Sequence, residues 1–107
     1  MWNKEKTLEV LASLPDLYAT EDIPVKDKVV GAHFFIGAAD WWIVEHSKEQ
    51  PGLMFGYACL GDPDCAEWGY IDFNELAGVK VKPGIEVDFD LHWQPKPVNQ
   101  IPAIRCY

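Results

Sequence analysis

The chain has 107 residues, of which 49% are hydrophobic and 13% aromatic, with 17 acidic residues against 9 basic ones for a net charge of −8. That length fits a single domain spanning residues 1–107, and the apolar content excludes a disordered chain. The shortage of Lys and Arg argues against direct binding of nucleic acid or of an anionic membrane, and is compatible with a basic protein partner.

The first element in chain order is a helix. "NKEKTLEVLASL", residues 3–14, sets Leu8, Leu11 and Ala12 on one face, extended by Val10 and Leu14. Asn3 is its expected N-cap and Pro15 its stop. No secretory leader is expected, because "MWNKEKTLEV" is charged and lacks an apolar run. "PDLYATEDIPVKDK" reads as a connector.

From Val29 the period changes to two. "VVGAHFFIG" and "DWWIVEH" predict a hairpin across a Gly-Ala-Ala turn, followed by strands at "LMFGYACL" and "AEWGYIDF" on either side of a "GDPD" turn. "NELAG" predicts one helical turn capped by Asn74 and closed by Gly78. "IEVDFDLHW" has the cleanest alternation: Ile85, Val87, Phe89, Leu91 and Trp93 on one face, Glu86, Asp88, Asp90 and His92 on the other. The expectation is an α+β fold, a mostly antiparallel meander over residues 29–93 packed on the N-terminal helix, with an irregular, proline-rich arm at 94–107 lying across the domain. Trp41 and Trp42 are adjacent, so both sheet faces carry large apolar groups, and either the arm or a partner must cover the second face.

Chemistry is sparse. Asp40, Glu67 and His33 are the candidates for a catalytic pocket, the two acids because they sit beside aromatics. Asp62 and Asp64 flank Pro63 in a turn, where Asp serves the backbone. His33, His46 and His92 fall on different strands without ligand spacing, so no metal and no cofactor is expected. Ser13 and Ser47 lack a nucleophile-elbow context. Cys59, Cys65 and Cys106 form no regular framework, and reduced thiols in a cytoplasmic setting are expected, with a Cys59–Cys65 bridge disfavoured.

The runs "LPDLYATEDIPVKDKVVGAHFFIGAADWWIVEH", "FGYACLGD", "AEWGYIDFNEL" and "IEVDFDLHWQPKP", over roughly residues 14–97, resemble a family of small proteins known only as a domain of unknown function. The resemblance implies a setting in plasmids, phages and integrative elements, near DNA-processing or antirestriction genes, and brings no catalytic residues with it. Three readings stand together. In the first, a DNA mimic of antirestriction or anti-CRISPR type whose partner is a basic, nucleic-acid-binding protein of a host defence complex, Glu86, Asp88 and Asp90 form one acidic edge. Asp62, Asp64, Glu67, Asp72 and Glu75 form another, and Trp68 anchors the centre. The second is a small enzyme using Asp40, Glu67 and His33. The third is an accessory module that binds a DNA-processing protein through its aromatic face.

Overall fold

The computed structural model describes residues 4–37, 39–60, 66–78, 80–82, 85–102 and 104, with backbone alone at 4, 77, 78, 80–82, 85 and 86. Helix α1 (Lys4–Ala12) leads into strands β1 (Val29–Val30), β2 (Ala32–Ile36), β3 (Ala39–His46), β4 (Leu53–Leu60) and β5 (Glu67–Asp72). Helix α2 (Phe73–Gly78) and strands β6 (Lys80–Lys82), β7 (Ile85–Glu86), β8 (Asp88–Phe89) and β9 (Lys96–Pro97) follow. Five strands pair antiparallel in the order β5-β4-β3-β2-β8, a meander with β8 added beside β2. The α+β meander with a short N-terminal helix is the expected architecture.

The sheet has a core on each face. Phe34, Trp41, Ile43, Met54 and Phe89 point to one side, where Leu11 and Leu14 of the N-terminal region and Phe73 and Leu76 of α2 close over them. Trp42, Val44, Tyr57 and Cys59 point to the other, against Val30, Val98, Ile101 and Ile104. Adjacent tryptophans therefore serve opposite faces, as strand alternation requires. The C-terminal segment over the second face is not the irregular stretch expected: it contributes β9, paired with β1, and a 3₁₀ turn at Val98–Gln100. The Trp93 indole N–H donates to the Val30 carbonyl at 2.9 Å and fixes where that segment starts.

Three local features, the α1 stripe, the α2 cap and the strand at 85–93, differ from what the sequence predicts. The buried stripe of α1 and the turn after it is Thr7, Leu11 and Leu14, while Leu8, Val10 and Ala12 are exposed. A spacing of four and three residues follows the helical period more closely than the Leu8-centred face does. Helix α2 is capped by Asp72, whose Oδ1 accepts from the amides of Asn74 and Glu75 at 2.8 and 3.1 Å, not by Asn74. Lys80–Lys82 is a strand paired with Ile85–Glu86. The predicted strand 85–93 is broken: β8 ends at Phe89, Asp90 Oδ1 accepts the His92 amide at 3.0 Å in a turn, and Leu91 is 66% exposed. Asn3, Asp62, Asp64, Cys65 and Cys106 lie outside the described residues, as does the side chain of Glu86. Cys59 is a buried free thiol.

The end of β3 is fastened to the connector that follows α1. The His46 amide donates to the Pro15 carbonyl, and its Nε2 accepts from the Gly52 amide, both at 2.9 Å. Asp16 Oδ1 accepts from the Leu17 and Lys48 amides, each at 2.9 Å, and these bonds hold its carboxyl below the ordinary carboxylate value. Burial, with the Lys48 charge behind it, pushes the His46 imidazole below its ordinary value, so the ring stays neutral in the fold. The unfolded chain then takes up a proton at His46 first, and its contribution to stability is whole above about pH 6.5 and is lost as pH falls below that. Urea midpoints measured from about pH 7.5 to 5 should therefore decline more steeply for the wild type than for His46→Gln. Parallel slopes would show that His46 does not titrate with folding.

Candidate functional site

The second sheet face carries rings in register. Across β2 to β5, His33 pairs with Trp42, Trp42 with Tyr57, and Tyr57 with Trp68. The next row is Glu45, Phe55 and Tyr70. Glu45 joins it because of a bulge: Ile43 pairs with Gly56 and Glu45 with Phe55, leaving Val44 as the extra residue. A bulge shifts the alternation by one residue. Strict alternation would send Glu45 to the Ile43 side; the bulge turns it onto the aromatic face.

That turn creates a cavity of about 320 Å³ between the connector and the sheet, walled by Tyr18, Phe55, Trp68 and Tyr70, floored by Glu45 and Lys28, and rimmed by Glu21 and Val25. Phe55 stacks on Trp68 at 6.0 Å and 17°, and meets Tyr70 edge-on at 5.7 Å. Tyr18 and Tyr70 share a hydroxyl hydrogen bond, which raises the Tyr70 phenol above its ordinary value. Tyr18 holds φ at 68°, a left-handed conformation a tyrosine adopts only when its surroundings impose it.

The surroundings are the floor. Glu45 is 5% exposed and Lys28 8%. Glu45 Oε1 accepts the Tyr18 amide and Oε2 the Thr20 amide, both at 3.0 Å. The Thr20 hydroxyl donates to Oε2 and accepts from Lys28 Nζ at 2.9 Å, and Nζ also donates to the Thr20 carbonyl. Two buried opposite charges are thus joined through one threonine, and the network bends the connector over the rings. Burial of either charge without such partners would be strongly unfavourable. A second cleft, of about 450 Å³, runs past Leu14, Ile23, Val29 and Trp93; Asp27, the carboxylate among its described lining residues, is exposed.

Of the residues singled out from sequence, His33 and Asp40 do meet. His33 Nε2 lies 2.8 Å from Asp40 Oδ1 and its Nδ1 3.2 Å from Asp90 Oδ2, with the ring stacked on Trp42 at 5.4 Å and 8°. Glu67 does not join them: it pairs with Ala58, which pairs with Trp41, so it lies on the opposite face and is exposed. Asp88 is half-buried beside Phe35, and Asp90 turns inward to His33 rather than continuing a solvent-facing row. Asp72 is committed to its helix cap, and Glu75 is exposed in α2. Trp68 is half-buried in the cavity wall. Among the described residues no group of three His, Cys, Asp or Glu could hold a metal ion, and no helix is long and apolar enough to cross a membrane.

The site residues missed from sequence are Tyr18, Thr20, Lys28, Glu45, Phe55 and Tyr70. The one local signal was Glu45 at the end of "WWIV", a carboxylate inside a run apolar on both faces.

Fold and site together define a small α+β domain with a ring-walled cavity on one sheet face. Residues 10–100 match the family described as "Protein of unknown function (DUF2958)", and the chain belongs to it. No curated protein and no solved structure matches the chain.

Proposed function

We propose that this protein is a binding module whose cavity receives a side chain of a basic protein partner. The observation that carries the reading is the cavity between the connector and Phe55, Trp68 and Tyr70, with two buried charged groups at its base. Its volume of about 320 Å³ is at the small end for ligand pockets and suits one side chain. Aromatic walls supply contact area with little rotamer freedom to lose. A net charge of −8 steers a basic partner toward the surface. The strained backbone at Tyr18 supports the same place, since such strain persists where the surrounding structure holds it for use.

The mimicry reading has less support. It needs a row of outward carboxylates, and Asp90 is engaged by His33 and by the His92 amide. The enzymatic reading has less support too, because Glu67 lies across the sheet from His33 and Asp40.

Amide NMR with indole as probe tests the cavity. Shifts should cluster at Tyr18, Thr20, Glu45, Phe55 and Tyr70. Tyr18→Gly should weaken uptake while stability holds or rises, because glycine relieves a left-handed conformation worth about 1 kcal/mol. Shifts absent from these residues, or confined to Glu67 and Asp88, would overturn the reading.

A further inference from the structure

We infer that the group taken by this cavity is the guanidinium of an arginine side chain on the partner. The inference rests on the binding-module reading and names its ligand. Three observations carry it. The first is the ring wall: Phe55 and Trp68 lie nearly parallel, and Tyr70 and Tyr18 close the sides. Ring faces are negative and attract cations, and a planar guanidinium stacks on them.

The second is the charge of the lining. Among the described residues of the lining, two carboxylates, Glu21 and Glu45, stand against one ammonium, Lys28. Lys28 is turned to Thr20, where its Nζ makes two bonds to the carbonyl and the hydroxyl. Glu45 takes three bonds, from the Tyr18 amide and from the amide and hydroxyl of Thr20, and only the first of them is at Oε1. A carboxylate offers about four acceptor positions, so Oε1 keeps capacity for one further donor. An anion would meet two carboxylates and the negative faces of the rings. A neutral ring would fill the space and leave that acceptor unused.

The third is desolvation. The cavity base is buried, and an ion entering it gives up water. Guanidinium is more weakly hydrated than the ammonium of lysine, so arginine loses less on entry.

The test compares N-acetyl-arginine amide with N-acetyl-citrulline amide, which replaces the cation by a neutral urea of nearly the same shape. Amide NMR titration with each probe, on the wild type and on Glu21→Gln, reads both affinity and location. The arginine probe should shift Tyr18, Thr20, Glu45, Phe55 and Tyr70 and bind about tenfold more tightly than the citrulline probe, the ratio expected of a partly desolvated cation over rings. Glu21→Gln should narrow that ratio without changing the fold, since Glu21 is exposed. Equal affinity for the two blocked probes, both in the cavity, would overturn the arginine assignment and leave the receptor cavity standing. Arginine shifts at Asp88 or Glu67 instead would overturn the assignment as well. If neither probe nor indole reached the cavity, the receptor reading itself would fall.

Discussion

Glu45→Ala should lower the stability of the protein by about 3 kcal/mol, read as a fall in urea midpoint with unchanged slope. The carboxylate accepts from two connector amides and the Thr20 hydroxyl. Removing it leaves three donors without their acceptor, and each buried donor left unmade is worth about 1–3 kcal/mol. It also leaves Lys28, 8% exposed, without the carboxylate that Thr20 links to it. Two effects limit the loss. The cavity lies directly above, so water entering it can satisfy some of the freed donors. Lys28 retains both of its bonds to Thr20. A loss of about 3 kcal/mol is therefore expected, rather than the simple sum of the parts. Glu45→Gln should fall between, because the amide keeps one acceptor but turns its own N–H₂ toward a donor. Hydrogen exchange at the Tyr18 and Thr20 amides should accelerate in both variants. A loss below about 1 kcal/mol for Glu45→Ala would mean that the carboxylate behaves as a surface group and that the connector is held by something else.

That network also marks where sequence reasoning stopped. Strands β2 to β5 were legible because each alternates against a buried face: Ala32, Phe34 and Ile36 face one core, and Trp42 and Val44 the other. The division of Trp41 and Trp42 between faces followed from the same period. The bulge at Val44 was not legible, since "WWIVEH" alternates plausibly without it. The partners of Glu45 lie 25 and 27 residues away in a connector that reads as polar spacer, so only the folded chain brings them to it. The break after Phe89 has a local cause that alternation hides: Asp90 accepts the amide two residues on, makes its own turn and leaves Phe89 as the last strand residue. Proline content made the C-terminal segment look irregular, yet Pro97 sits in a two-stranded ladder with Val29, where a missing N–H is tolerated. The acidic row was a projection of a strand longer than the one that forms.

Gly56→Ala should be at least as damaging as the loss of Glu45, at about 3 kcal/mol or more. Gly56 pairs with Ile43 at the mouth of the bulge. A Cβ there would stand 2.1 Å from the Trp42 carbonyl oxygen and 3.0 Å from Ile43 Cα, both backbone atoms that cannot rotate away. Either β3 and β4 separate locally, or the pairing slips by a residue. A slip would send each shifted side chain to the wrong face, Trp42 and Tyr57 included. The neighbouring strand offers a control in the same row. Gly69 pairs with Gly56, but a Cβ at Gly69 would meet nothing within 4 Å. Gly69→Ala should stay within about 0.5 kcal/mol of the wild type. The pair separates close backbone approach from loss of glycine as such, because both variants make the same chemical change one strand apart. Binding should follow the same division. Phe55 precedes Gly56 and stands in the cavity wall, so a displaced β4 carries that ring with it. Gly56→Ala should then bind indole and the arginine probe poorly even under conditions where it remains folded, while Gly69→Ala binds both. Equal unfolding midpoints for the two variants would mean that β3 and β4 yield at the bulge without loss, and that the bulge is a soft joint instead of the fixed pivot that turns Glu45 into the cavity.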